Sequence, residues 1–395
     1  MTDKTTGLIH HPYRPPAGFS APQEGVFKAS TVIFPNIAAM RARNWREKAG
    51  YTYGLHGTPT TFVLEERLCE LEGGKQCLLL PSGLAAIANV GLALLKAGDE
   101  VLIPDNAYGP NKALAEGEFR TWGIEHRFYD AMNPADLAAK LTPRTRLVWM
   151  EAAGSVTMEF PDLPALLLAC RDRAPQAVTA LDNTWGAGLA FAPFELGFDI
   201  SAHALTKYPS GGGDVLMGSV VTCDEALHLA LKATHMRMGF GVGANDVEAV
   251  LRSLPSLPLR YRAHDRSARE IARWLGDRSE VSQVLHPALQ GSPGHAHWKA
   301  LCTRDGGLAA GLFSVIFNDR FSTAQIDHFC DALNLFKIGY SWGGPMSLVV
   351  PYDVTGMRSL PGHHPPYLVR FSIGLEAPED LIADLDQAIS TALST

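Results

Sequence analysis

Short apolar runs recur along the first half of the chain, each closed by a polar or turn-forming residue and followed by a stretch of helical spacing. Gln76–Leu80, "EVLIP" at 100–104, "RLVWMEA" at 146–152 and "AVTALDNT" at 177–184 read as strands. The segments "NPADLAAKL" and "LPALLLACRDRA" between them place their apolar residues on one helical face. Strands alternating with helices predict a largely parallel sheet covered by helices on both faces. Ligands of such sheets bind beyond the carboxyl ends of the strands. Two chemically loaded residues stand at consecutive ends of this kind: Asp182 after "TAL" and Lys207 after "HAL".

Residues 78–95, "LLLPSGLAAIANVGLALL", carry no charge and approach the length of a membrane span. Pro81, Ser82 and Gly83 break the run and Asn89 interrupts what is left, so the expectation is strand, turn and helix. The helix is expected over 84–95, with Gly98 as the glycine of its C-terminal cap. A helix that starts at a glycine turn leaves the amides of Gly83 and Leu84 free, and the positive end of its dipole suits a phosphate. A tight turn without a ligand is the other reading of the segment.

Composition narrows the chemistry. A chain of 395 residues exceeds what one hydrophobic core organises, so two or three domains are expected. A formal net charge of -7 supplies no concentrated basic face and argues against a nucleic-acid partner. The six cysteines form no C-x-x-C pair and no metal-ligand spacing, which predicts reduced core thiols and a cytoplasmic protein. The N-terminus, "MTDKTTGLIHHPYRPPAGFS", lacks the apolar stretch of a signal peptide and reads as an extended arm. "GFGVGA" at 239–244 fits a dinucleotide fingerprint only formally, because helix-like "ALKATHMRM" precedes it and no acidic residue completes the unit. His10 with His11, His295 with His297, and His363 with His364 lie in loop-like segments without a carboxylate partner, so no metal is expected. A phosphate-binding helix start, a strand-end acid and a strand-end lysine remain. Those are the parts of a pyridoxal 5'-phosphate (PLP) site: an amine to join the cofactor, an acid to keep its ring nitrogen protonated, and a helix terminus for its phosphate.

From about Tyr51 to the C-terminus the chain resembles the Cys/Met-metabolism family of fold-type I PLP-dependent enzymes. "YGLHGTPT" is similar to the family's cofactor-contacting arm, "LEGGKQCLLLPSGLAAI" to its phosphate loop and helix, and "DNAY" to the segment whose tyrosine stacks on the pyridine ring. "DNTWGAG" resembles the segment of the ring-nitrogen aspartate, "TKY" that of the Schiff-base lysine, and "LVRFSIGLE" that of the carboxylate-binding arginine. The resemblance therefore implies that Lys207, Tyr108 and Tyr53 are catalytic. It implies that Asp182, Gly83, Leu84 and Thr206 hold the cofactor with them, and that Arg370 binds the substrate carboxylate. It also implies an α/β fold with a large, mostly parallel sheet domain and a smaller C-terminal α/β domain. The expected divisions are an arm over 1–57 reaching a neighbouring subunit, a PLP-binding domain over 58–253 and a C-terminal domain over 254–395. The proline-punctuated "LPSLPL" after Arg252 marks the second boundary. A homo-oligomer, a dimer of dimers with shared active sites, is the implied assembly.

Within that family "EAAGSVTMEFPDL", "GYSWGG" and "HPALQGSPGH" resemble the β-eliminating branch, and "GYSWGG" brings in Tyr340, Ser341 and Trp342 as substrate contacts. The implied reaction is carbon–sulfur β-elimination of a thio-amino acid, with cystathionine as first candidate and cysteine or S-conjugates as alternatives. A non-catalytic PLP-binding protein is the reading from another class. The chain departs from the family where its arm carries Leu55 in place of an arginine after Tyr53, and where Ala204 replaces a serine three residues before the lysine. His56, beside the vacant position, is the candidate to restore part of the phosphate contact, losing its charge between about pH 6 and 8.

Overall fold

The computed structural model describes residues 4–393 apart from 11–16, 20, 47, 49, 304–305 and 361–365. His11, His363 and His364 lie outside the described residues. The large sheet is built from β1 (Gln76–Leu80), β2 (Glu100–Pro104), β3 (Glu125–Tyr129), β4 (Thr145–Glu151), β5 (Val178–Asp182), β6 (Ile200–His203) and β7 (Gly218–Thr222). Their spatial order is β1-β7-β6-β5-β4-β2-β3, and β7 alone runs against the others. Runs such as "EVLIP" are apolar on both faces because helices cover both sides of the sheet.

A second sheet follows: β8 (Val281–Leu285), β9 (Leu312–Phe317), β10 (Lys337–Ile338), β11 (Leu348–Asp353) and β12 (Tyr367–Ser372), in the order β10-β11-β12-β9-β8. It is antiparallel except for the β10 and β11 pair. The long helix Leu257–Gly276 bridges the two sheets in sequence, and its Ile271 and Leu275 belong to the core of the second.

Because β1, β2, β4, β5 and β6 run the same way, their carboxyl ends share one edge. Pro81 to Gly83, Asp105 to Tyr108, Glu151, Asp182 and the turn to Lys207 all emerge there. Behind this edge the buried Glu72 carboxylate, at the end of helix Pro59–Glu72, ties the strand ends together. It lies 2.9 Å from His203 Nδ1 and accepts from Asn183 Nδ2 at 2.7 Å and Ser201 Oγ at 3.0 Å. Burial pushes this carboxyl up, but the His203 and Asn183 hydrogen bonds hold it below its ordinary value.

Four expectations need correction. Residues 4–9 are not extended: Lys4–Ile9 is a helix whose Leu8 is buried and whose Lys4 Nζ donates to the carbonyls of Leu71 and Gly188. The helix after the "PSG" turn ends at Leu94, with Leu95 extended, so Gly98 caps nothing; it sits in the turn before β2, and its amide donates to the carbonyl of Gly123 in the turn before β3. Cys223 is exposed, unlike the other five thiols. The third and fourth strands begin and end within two residues of where they were expected.

Alternation along β12 puts Phe371 in the second core and its neighbour Arg370 on the face that meets Lys207. Phe371 stacks on Phe313 at 5.3 Å and meets Phe336 edge-on at 5.5 Å. Phe371→Ala is expected to cost about 3–5 kcal/mol in urea unfolding, the usual range for a fully buried phenylalanine. A loss below about 1 kcal/mol would show that this core does not hold β12.

Candidate active site

Lys207 lies in the turn that leaves β6, and its backbone amide donates to the Ala204 carbonyl at 3.1 Å. Gly211 and Gly213, at φ of 65° and 75°, carry the chain away from it through conformations that glycine adopts without cost. Its side chain is half-buried and crosses to the second sheet's half of the molecule. There Nζ donates to Ser341 Oγ at 2.7 Å and sits 5.4 Å from the centre of the Trp342 ring. Burial and the nearby Arg370 guanidinium bring the ammonium down to about 8, against the pull of Asp182.

Asp182 ends β5. Its Oδ1 accepts from the Thr184 amide at 3.0 Å and the Thr184 hydroxyl at 2.6 Å. The same hydroxyl oxygen accepts from the Ala204 amide at 2.9 Å, so Thr184 lashes the acid to the turn that carries Lys207. Burial raises the Asp182 carboxyl, opposed by the Thr184 bonds and by the charges of His203 and Lys207.

Arg370 is 8% exposed, and no acidic side chain pairs with it among the described residues. One Nη donates to the Ser341 carbonyl at 3.4 Å, the guanidinium lies 5.3 Å from the Tyr352 ring centre, and Nε is buried without a partner. Burial lowers its proton affinity. Ser341, which serves both Lys207 and Arg370, stands at φ 89°, a conformation that costs a non-glycine residue about 1–3 kcal/mol and is held by its surroundings. Trp342 packs on Tyr208 at 5.4 Å, while Tyr340 is 77% exposed, 6.3 Å from Tyr352.

Helix Gly83–Leu94 opens at the same edge. Ser82 caps it by accepting from the Ala85 amide, which leaves the Gly83 and Leu84 amides without an intrahelical acceptor. A Cβ on Gly83 would come within 2.6 Å of the Ala204 Cβ, so both residues must be small for this helix start to reach the Lys207 turn. The Thr206 hydroxyl is already engaged with the Met217 backbone, accepting from its amide at 3.2 Å and donating to its carbonyl at 3.3 Å.

Tyr108 stands in the loop after β2, 42% exposed, and its amide donates to Glu151 Oε2 at 2.8 Å. Burial and the negative charges of Asp182 and Glu151 raise its phenol. Sequence reasoning missed Glu151, although it ends an apolar strand as Asp182 does and pairs with Asp182 in register. Burial and Asp182 together keep its carboxyl well above the usual range. Thr184 and Tyr352 were also missed: the first had a signal in "DNT", the second had none.

Tyr53 and His56 do not join this cleft within one chain. They line a separate cavity of about 220 Å³ together with Lys232 and His235. His56 Nδ1 is 2.7 Å from Thr52 Oγ1 and its ring is edge-on to Tyr53 at 5.7 Å. Burial and the positive charges of Lys232 and Arg43 push the imidazole below its ordinary value, so its charge is lost at lower pH than expected from sequence.

The cleft thus brings together Lys207, Asp182, Tyr108, Arg370, Ser341, Trp342 and the Gly83 helix start. Its donor set fits PLP: a lysine whose proton affinity is lowered, an acid near it, a helix terminus with free amides and a buried guanidinium without an acidic partner among the described residues. Among the described residues no group of histidines, cysteines and acids could hold a metal ion, and no helix is long and apolar enough to cross a membrane.

Residues 5–390 match the family described as Cys/Met metabolism PLP-dependent enzyme. A cystathionine beta-lyase of Bordetella avium is 40% identical, covering 98% of this chain and 97% of that protein. The cystathionine beta-lyase MetC of Escherichia coli K12 is 37% identical over 91% of each chain. The crystal structure of metB from Corynebacterium glutamicum superposes with a TM-score of 0.90 at 28% identity, covering 99% of this chain and 98% of that one.

In the cofactor-free protein, labelling of Lys207 by a small amine reagent is expected to rise with pH and reach half its maximum near pH 8, because only the neutral amine reacts. Ordinary lysines in the same digest should do so near pH 10.4. A Lys207 profile that follows theirs would contradict the electrostatics described above.

Proposed function

The chain belongs to the Cys/Met metabolism family of PLP-dependent enzymes, and we propose that within it the protein is a carbon–sulfur β-lyase that converts L-cystathionine and water to homocysteine, pyruvate and ammonia. The observation that carries this reading is the meeting of the Lys207 amine with the unpaired Arg370 guanidinium above Asp182. It provides for an α-amino acid: a cation for the carboxylate and, one side chain away, a base for the α-proton.

PLP, when bound, supplies a carbonyl for the substrate amine and a ring that takes up the electron pair released with the α-proton. Asp182 would pair with the ring nitrogen and hold its proton, the resulting cation stabilising the carboxylate against the burial that raises it. Gly83 and Leu84 would hold the phosphate with their free amides, and Tyr108 would offer its ring to the cofactor. Arg370 receives the substrate carboxylate and is thereby relieved of its unsatisfied Nε. Lys207, steadied by Ser341 Oγ, would take the α-proton as a neutral amine and return a proton to the sulfur that departs as the Cβ–S bond breaks. Trp342, beside Lys207, and Tyr340, beside Tyr352, would border the substrate.

The protein works in this reading as a homo-oligomer in which the arm that follows the helix Lys4–Ile9, itself packed on its own chain, meets a second copy. Exposed apolar residues of that arm support it, among them Ile33 at 90% and Ile37 at 59%. Tyr53 and His56 then act on the neighbour's cofactor, with Lys232 beside them. Residues 58–253 form the cofactor domain and 254–395 the C-terminal one, divided between Thr222, where the large sheet ends, and Val281, where the small one begins. Buried free thiols suit the cytoplasm.

Lys207→Ala should abolish pyruvate release from cystathionine, because the same amine holds the cofactor and moves the proton; retention of full turnover overturns the assignment. Arg370→Ala should raise KM at least about tenfold with the visible spectrum of the bound cofactor unchanged, as expected for loss of a desolvated guanidinium–carboxylate pair. An unchanged KM would place the carboxylate elsewhere.

A further inference from the structure

One polar cluster outside the groups of the cleft joins the two sheets, and it brackets Tyr108. Asp105, 6% exposed, directly follows β2. Its carboxylate accepts from Lys112 Nζ at 2.6 Å, from the Ser359 amide at 2.9 and 3.0 Å, and from the Leu360 amide at 2.9 Å. Lys112, also buried, donates in addition to the carbonyls of Asp105 at 3.0 Å and Met357 at 2.9 Å. Nearby, Arg358 donates to the Ser155 carbonyl at 2.8 Å and to the Thr157 hydroxyl at 2.6 Å.

Residues 357–360 belong to the connection between β11 and β12, on the small sheet. Asp105 and Ser155 belong to loops at the carboxyl edge of the large one. The tether therefore joins the two sheets' sides, and an aromatic residue of the site lies close in sequence to each of its ends. On one side the Asp105 and Lys112 pair closes a loop of which Tyr108 is the exposed member. On the other, Tyr352 lies on β11 a few residues before Met357 and packs against Arg370. Tyr352 adds to the field that raises the Tyr108 phenol, which places the two side chains on the same side of the molecule, near one another. A substrate held by its carboxylate on Arg370, with its α-carbon at Lys207, would lie beside the Tyr352 ring, and its sulfur substituent would run between that ring and Tyr108.

We propose that Asp105 is a positioning residue: by holding residues 357–360 on the large sheet it fixes the spacing of Tyr108 and Tyr352 and selects for thioethers whose second half fills the space between them. The proposal rests on the carbon–sulfur lyase reading above. Nothing in it requires Asp105 to touch substrate or cofactor.

Two variants test it from opposite ends of the tether. D105N keeps the size of the side chain but loses the charge facing Lys112 and one acceptor for the backbone amides; R358Q releases the Ser155 and Thr157 contacts. Hydrogen exchange in the PLP-loaded enzyme should speed up at least about tenfold in peptides spanning 354–360 and remain unchanged in β5 and β12. KM for L-cystathionine should rise about fivefold or more, KM for S-methyl-L-cysteine should stay within about twofold, and kcat should hold, since only binding of the distal half is lost. The proposal is overturned if exchange at 354–360 stays at the parent rate, if exchange rises equally throughout the chain, or if both KM values change by the same factor. A parent enzyme that cleaves neither thioether would refute the lyase reading instead, and the exchange measurement alone would then judge the tether.

Discussion

Two cations share one cleft, and among the described residues neither forms an ion pair. Lys207 is half-buried with a proton affinity pulled down to about 8, and Arg370 is buried with one nitrogen unpartnered. Asp182, the acid near Lys207, is itself disfavoured as a carboxylate by burial. An arrangement of this kind weakens a folded chain, because desolvated charges are stabilised only when paired. It persists because the surroundings over-determine it. Thr184 binds Asp182 to the Lys207 turn, Ser341 is held in a left-handed conformation between Lys207 and Arg370, and the Phe371 core fixes the strand on which Arg370 stands. A phosphorylated aldehyde and an amino acid carboxylate would satisfy every unpaired group at once.

The topology explains why these residues meet. Asp182, Glu151 and the turns to Tyr108, Gly83 and Lys207 lie far apart in sequence, yet parallel strands deliver all of them to one edge. The second sheet adds what the first cannot: Arg370 and Ser341, whose positive neighbours and hydrogen bonds tune the lysine from outside its own half. The cleft is therefore a property of two sheets in contact, and the Asp105 tether acts on that contact.

Much of this was legible along the chain. The parallel strands announced themselves as apolar runs, and β1 and β2 fall where the pattern put them. Asp182 and Lys207 were visible as polar residues at strand ends, and Gly83 as the start of a helix. Glu151 carried the same signal and was passed over, because one acid at the edge already met the chemical need. What stayed hidden depends on long-range contact. No spacing links Asp105 to Ser359 or Lys207 to Ser341, and the helix Lys4–Ile9 forms where its Leu8 finds a core, in a segment whose composition suggested an arm. Thr206 shows the converse: its hydroxyl stands beside the lysine in sequence but bonds to Met217. Local patterning reports faces and ends, whereas partners are chosen by packing.

The account stands on Lys207 being the amine that meets the cofactor. The most direct measurement loads the protein with PLP, reduces it with borohydride and maps the modified peptide by mass spectrometry. The structure predicts a single pyridoxyl group on Lys207, in the peptide containing "HALTKYPSGG". Modification of Lys112, Lys232 or any other lysine in its place, with Lys207 unlabelled, would contradict it.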